Sequence, residues 1–235
     1  MRLVLTFLAV LLPVAASAAD VSVPKTSHPM KIGIIGTGEI GGALARHWAA
    51  AGHQLLISSR HPAELQSLAK ELGPNVKAGT PREAAAFGDV VLVSVPYKAT
   101  PEIGRDYAAE LRGKVVLDTG NPYPGRDGDM AVRDRQRGTG VASAEYLPGT
   151  RLVRAFNAIN SGPLANEAFH KPERLGIPLA ADDPEAMKIA EQLVRDAGFD
   201  PVAVGPLSRA REFDVGTPVY VRGMTAAELR RALKL

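Results

Sequence analysis

The chain has 235 residues, 46% hydrophobic and 23% charged, enough for one globular domain with a real core. Its 28 Lys and Arg against 25 Asp and Glu leave a net charge of +3 without a basic stripe, which argues against a nucleic-acid binder. With no cysteine and five dispersed histidines, His28, His47, His53, His61 and His170, it offers no disulfide, no thiol nucleophile and no metal-ligand spacing.

Arg2 opens the apolar run LVLTFLAVLL (Leu3 to Leu12), followed by Pro13 and AASAAD, the order of a secretory signal peptide. A membrane span needs about 20 apolar residues. Residues 1–19 are therefore expected to be removed as a signal peptide and 20–29 to act as a linker, leaving no stable span and a periplasmic or secreted protein. If translation starts at Met30 instead, MKIGIIG is an ordinary beginning and the protein is cytoplasmic.

From residue 30 to 235 apolar runs alternate with helical patterns, the rhythm of parallel strands joined by crossover helices. KIGIIG (Lys31 to Gly36), QLLISS (Gln54 to Ser59), VVLVSV (Val90 to Val95), VVLDTG (Val115 to Gly120), RLVRAFN (Arg151 to Asn157), GIPLAA (Gly176 to Ala181) and PVAVGP (Pro201 to Pro206) read as strands. Their unbroken apolar character indicates burial on both faces. Thr80-Pro81-Arg82-Glu83 and Thr225 with Glu228 have the capping-box spacing of helix starts. Asp183-Pro184 opens a helix with Met187, Ala190, Val194 and Ala197 on one face and Gly198 as its stop. NPYPGRDGDMAVRDRQRGT, between Gly120 and Gly140, reads as a loop with one short helix, and Arg133, Arg135 and Arg137 in it as solvated charges. The expected fold is α/β: a Rossmann-type, doubly wound, mostly parallel sheet in a single domain with a C-terminal strand-helix-strand extension.

The chemistry begins after the first strand, where KIGIIGTGEIGGAL places Gly36-x-Gly38-x-x-Gly41 between a buried strand and a helix running toward Gly52. In a dinucleotide fold Gly36 makes the tight turn, Gly38 lets the backbone approach a pyrophosphate and Gly41 lets helix and strand pack closely. The helix N-terminus then presents free N–H groups to the phosphates. An NAD site usually has an acid at the end of the second strand, about 20 residues on, for the ribose 2'-hydroxyl. Here Ser58-Ser59-Arg60 stands in that place. A carboxylate would repel a 2'-phosphate, whereas Ser can donate to it and Arg can pair with it. The stretch predicts NADP(H) over NAD(H).

With GTGEIGGAL, ISSR, VSVPY, NPY and RAFNAI in this order, the chain resembles the NADP oxidoreductases that use the deazaflavin coenzyme F-420, and the related cytosolic domains of six-transmembrane metalloreductases. The similarity runs from Lys31 to about Arg211 and leaves the tail FDVGTPVYVRGMTAAELRRALKL unmatched. The resemblance implies that Thr37, Gly38, Glu39 and Ile40 wrap the pyrophosphate, that Ser59 and Arg60 hold the 2'-phosphate, and that Val95, Pro96 and Ala155 line the nicotinamide end. Family members can carry a further basic residue after the Ser-Arg pair; here His61, Pro62, Ala63 and Glu64 follow.

Hydride transfer to a flavin-like ring demands chiefly that two flat rings be stacked at the right distance. Reduction of a carbonyl usually needs a proton donor too, and Tyr97, Lys98 and Asn121 are the candidates at strand ends, with turn and capping roles as the alternative. The leading expectation is an NADPH-dependent oxidoreductase with a small-molecule acceptor, a flavin, a deazaflavin or a flavin-mediated metal. A non-catalytic NADP(H)-binding or sensing module and a reductase of a small carbonyl or imine stand as alternatives, and a homodimer is compatible with each.

Overall fold

The segment KIGII forms strand β1 (Lys31–Ile35), with only Lys31 at the surface, as expected for an apolar run covered on both faces. This is a computed structural model describing residues 23–235; the expected signal peptide lies outside the described residues. The chain continues through α1 (Glu39–Ala51), β2 (Gln54–Ser58), a 3-10 turn at Pro62–Leu65, α2 (Gln66–Leu72), β3 (Val76–Gly79), α3 (Pro81–Phe87) and β4 (Val90–Val93). After these come α4 (Thr100–Asp106), α5 (Ala108–Leu111), β5 (Val115–Asp118), α6 (Pro124–Asp127), α7 (Asp129–Arg137), α8 (Thr139–Tyr146) and β6 (Arg151–Arg154). The last elements are α9 (Ser161–Asn166), β7 (Gly176–Ala181), α10 (Pro184–Asp196), β8 (Asp200–Gly205) and α11 (Ala226–Ala232).

Among the described residues the strands form one eight-stranded sheet in the order β3-β2-β1-β4-β5-β6-β7-β8. Its first six positions are the doubly wound dinucleotide-binding order. Only the β6–β7 pair is antiparallel; β7 and β8, joined by α10, are the expected strand-helix-strand extension. The order reverses between β1 and β4, so the crevice at the carboxyl ends of β1, β4, β5 and β6 is where such a sheet receives a ligand.

The core lies on both faces of the sheet. On one face Trp48 of α1 packs edge-on against Phe156, with centroids 6.2 Å apart, and donates its indole N–H to the Leu193 carbonyl of α10 at 2.9 Å. The extension is thereby fastened to the nucleotide half. On the other face Ile35, Val91, Val93 and Val116 pack beneath α3, α4 and α8. The tail adds a third apolar cluster in which Phe213, Val219, Leu229 and Leu233 cover Val202 and Val204 of β8.

Both capping boxes are made: the Thr80 and Thr225 side chains accept from the N–H of Glu83 and Glu228, which reach back in return. Asp183 caps α10 by accepting from the Glu185 and Ala186 N–H groups at 2.9 Å. Three expectations need correction. The edge strand β3 was not anticipated, because VKAG is short and interrupted by Lys and Gly. The segment between Gly120 and Gly140 holds two helices, α6 and α7, and the first residue of α8, not one short helix, with buried Ala131 and Asp134 on the inner side of α7. RLVRAFN leaves the sheet at Arg154, since Phe156 turns into a left-handed conformation at φ 57°.

Candidate functional site: a cleft at the ends of the parallel strands

The three glycines behave as three different devices. Gly36 sits at φ 96°, and a Cβ there would meet the Ser94 carbonyl oxygen at 2.3 Å. Gly41 lies so close to the turn that a Cβ would stand 2.1 Å from the Gly36 oxygen. Gly38 has nothing within 4 Å of where its Cβ would be, so its backbone faces open space. No side chain caps the start of α1, which leaves its first N–H groups free for an anion. This is the cradle a pyrophosphate requires.

The Ser-Ser-Arg stretch divides its labour differently from the expectation. Ser58 is buried, and its hydroxyl donates to the Ile34 carbonyl at 2.7 Å. Its own carbonyl accepts from the N–H groups of Gly36 and Thr37, at 3.2 and 3.1 Å, and from the Thr37 hydroxyl at 3.0 Å. The Ser58 side chain is thus a brace for the glycine turn, not a ligand for the 2'-phosphate, because strand alternation points it inward. Ser59 accepts from the His61 N–H at 3.0 Å and keeps its own proton free. Arg60 is exposed and makes no hydrogen bond or ion pair among the described residues.

A cleft of about 360 Å³ opens beside this turn. It is lined by Gly38, Glu39 and Ile40 from the turn, by Val95 and Pro96 after β4, and by Thr119, Gly120 and Asn121 after β5. Phe156 and Tyr220 form the far wall. At the turn, the Ser161 hydroxyl donates to Glu39 at 2.8 Å. Ala155, expected at the nicotinamide end, is buried outside the lining; the neighbouring Phe156, itself buried against Trp48, contributes to the cleft wall instead.

Of the three strand-end candidates only Asn121 reaches the cleft. Tyr97 is buried away from it, edge-on to Tyr146 at 6.4 Å, and burial pushes its phenol well above the ordinary range. The Lys98 side chain is exposed outside the lining, while its N–H donates to Asp127 at 3.3 Å. Asn121 donates from Nδ2 to the Asn157 carbonyl at 2.8 Å and to the Tyr220 hydroxyl at 3.3 Å, and its Oδ1 is buried without a partner.

The rest of the cleft wall is built by residues that the sequence pattern did not single out. The hydroxyls of Tyr123 and Tyr220 are hydrogen bonded to each other. Arg126 lies 5.1 Å over the Tyr123 ring, donates to the Asn121 carbonyl at 2.6 Å and pairs with Asp127 at 2.8 Å. Burial favours the neutral Asp127 carboxyl, but Arg126 and the Tyr123 N–H hold it below its ordinary value. Behind this wall, fully buried Arg154 bonds Asp118 at 2.7 Å and faces Asp214 of the tail at 3.5 Å. Burial opposes the Arg154 charge, and the attraction of Asp118 and Asp214 more than offsets it. The available signal was a charged residue closing each of two strands, VVLD and RLVR, whose central residues are apolar. Nothing local in the sequence announced Tyr220.

Residues 31–122 match the family model for NADP oxidoreductase, coenzyme F420-dependent. The F420-dependent NADP reductase of Methanothermobacter thermautotrophicus is 30% identical over 206 residues, which cover 82% of this chain and 88% of that one. The rat metalloreductase STEAP3 is 28% identical over 82% of this chain, which spans 37% of that longer protein. A solved hypothetical protein from Sinorhizobium meliloti superposes with a TM-score of 0.73 at 28% identity, over 85% of this chain and 96% of that one. Fold, cleft and relatives together define an NAD(P)-dependent oxidoreductase. The chain belongs to the family of coenzyme F420-dependent NADP oxidoreductases.

Proposed function

We propose that the protein uses NADPH to reduce a flavin or deazaflavin, by stacking the acceptor ring against the nicotinamide in the cleft. The observation that carries this reading is that the cleft runs unbroken from the open Gly38 backbone to Phe156 and Tyr220, so donor and acceptor sites are continuous. Gly38 and the start of α1 hold the pyrophosphate, and Ser59 with the exposed Arg60 hold the 2'-phosphate and exclude NADH by leaving the ribose hydroxyls without a carboxylate partner. Val95, Pro96 and Phe156 orient the nicotinamide and keep water from its face. When bound, NADPH supplies the hydride; the chain supplies position and electrostatics.

The test is NADPH oxidation by the purified full chain with riboflavin 5'-phosphate, with coenzyme F420 and with ferric iron plus flavin, each repeated with NADH. The reading predicts turnover with at least one acceptor and a preference for NADPH of ten-fold or more, about 1.4 kcal/mol. No oxidation with any of them overturns it. The Tyr220 hydroxyl in the cleft favours reduction of a small carbonyl or imine as the second reading, distinguished by turnover with such compounds and not with flavins. The Leu3 to Leu12 run supports export as part of the proposal, and a purified protein beginning at Met1 or Met30 removes it.

A further inference from the structure

We propose that Tyr220 and Tyr123 form a two-hydroxyl proton relay, with Tyr220 donating to the acceptor inside the cleft and Tyr123 connecting it to solvent. The inference rests on the reductase reading of the same cleft and assigns the proton that the reading leaves without a source.

The orientation of the relay follows from the hydrogen bonds around it. The Asn157 carbonyl only accepts, so the Asn121 side chain must present its Nδ2 there, 2.8 Å away. That fixes the amide, and the second Nδ2 hydrogen then donates to the Tyr220 oxygen at 3.3 Å. A phenol oxygen accepts at most two hydrogen bonds and donates one. With Asn121 donating to the Tyr220 oxygen, the hydroxyl pair has two arrangements: in the free protein Tyr220 donates to Tyr123, and when the Tyr220 O–H turns to an acceptor in the cleft that both tyrosines line, Tyr123 donates to Tyr220 in its place. Tyr123 is 38% exposed, so its own hydroxyl exchanges protons with water while Tyr220 stays half-buried.

The surroundings suit passage of a proton better than its storage. Burial and the neighbouring Tyr123 hydroxyl push the Tyr220 phenol above its ordinary value, against the opposing pull of Arg135 and Arg154, so it remains neutral across the working range. Arg126 over the Tyr123 ring favours transient negative charge on that ring. Glu39 is the only carboxylate in the lining, and it lies at the glycine turn with its oxygen accepting from Ser161.

The chemistry balances as NADPH plus acceptor plus one proton giving NADP+ plus the two-electron-reduced acceptor. The C–H bond of the dihydronicotinamide breaks and both electrons leave with the hydride. The Tyr220 O–H bond breaks as an H–N or H–O bond forms on the acceptor, the Tyr123 proton moves to the Tyr220 oxygen, and water reprotonates Tyr123.

Tyr220→Phe and Tyr123→Phe in the full chain test this with riboflavin 5'-phosphate and coenzyme F420 as acceptors. A positioned proton donor contributes about 10²–10⁴-fold. Tyr220→Phe is therefore expected to lower kcat by about 100-fold or more, and Tyr123→Phe by about ten-fold, since water can stand in for an exposed hydroxyl. The solvent deuterium isotope effect on kcat should change in both, while calorimetric NADPH affinity stays at the wild-type value. In the free protein, alkaline difference absorbance should show Tyr220 ionising at lower pH once Tyr123→Phe removes its neighbour. An unimpaired Tyr220→Phe with an unchanged isotope effect, or an unshifted tyrosine titration in Tyr123→Phe, overturns the relay and leaves the reductase reading standing. A wild-type chain inactive with every acceptor overturns both.

Discussion

Asp118 and Arg154 are register partners on adjacent strands and meet side chain to side chain, Oδ2 to Nη1 at 2.7 Å, with neither exposed to solvent. Arg154 also faces Asp214, so one guanidinium ties the ends of two strands to the tail that carries Tyr220. Removing one partner of a buried pair leaves an uncompensated charge and costs about 3–5 kcal/mol. Arg154→Met should therefore lower the thermal midpoint by roughly 10 °C. A midpoint within a degree of wild type in a thermal melt would show that the charges do not matter to the fold.

Gly38→Ala and Gly41→Ala should fail in opposite ways. Gly38 has room for a methyl, so stability should stay within about 0.5 kcal/mol of wild type. NADPH affinity should fall at least ten-fold, about 1.4 kcal/mol, because the methyl occupies the phosphate approach. Gly41→Ala drives a methyl into the Gly36 carbonyl, an overpacking cost of roughly 1–3 kcal/mol. Urea unfolding and calorimetric titration of both variants check the pair, and equal stability losses would refute the division.

These glycines were legible because their spacing and their flanking strand and helix are local features. So were the buried strands, whose apolar runs are continuous, and the helix starts at Thr80, Asp183 and Thr225, whose caps lie within three residues. What stayed hidden is long-range or subtle in direction. Ser58 and Ala155 stand in the right segments, but the direction of a side chain at a strand end depends on where the strand stops. Tyr220 meets Tyr123 across 97 positions, a contact made by tertiary packing alone. Trp48 follows the nucleotide turn on α1 but faces α10, so its fluorescence is expected to respond weakly to nucleotide.

Arg60→Ala should abolish the preference for NADPH while leaving NADH binding and stability near wild type, since the side chain has no partner among the described residues. Parallel titrations with the two dinucleotides decide this. A preference that survives would assign the 2'-phosphate to other groups.

Tyr97→Phe should retain turnover within about two-fold, because its hydroxyl is sealed outside the cleft and makes no hydrogen bond. Lys98→Met should do the same. A loss of 100-fold in kcat for either would return that residue to the chemistry, a magnitude typical of acid-base groups at about 10²–10⁴-fold.

Stability should fall as the solution becomes mildly acidic. His53 is buried, its Nδ1 accepting from the Met30 N–H at 3.1 Å and its Nε2 facing Asp196 at 3.1 Å. Burial lowers its pKa more than Asp196 raises it. The unfolded chain, with His53 near 6.5, then binds more protons than the folded one as pH drops through that value, so stability present above it is lost below it. Half-buried His47, bonded to the Leu164 carbonyl, adds to the same slope. Urea midpoints between about pH 7 and 5 should decline in wild type and less steeply in His53→Gln; identical slopes would exclude His53.

The single hydrogen-bonded ladder through all eight strands has a mechanical consequence. Many dinucleotide enzymes place their two substrates on separate lobes that swing together, but here the cleft runs from the turn after β1 to Tyr220 of a tail packed on β8 of the same sheet. No interlobe hinge is built into that frame among the described residues, so the width of the cleft is set when the chain folds. Exchange of product for substrate then falls to small local parts, such as the Glu39–Ser161 contact at the cleft wall, and the catalyst works as a fixed jig rather than a closing jaw.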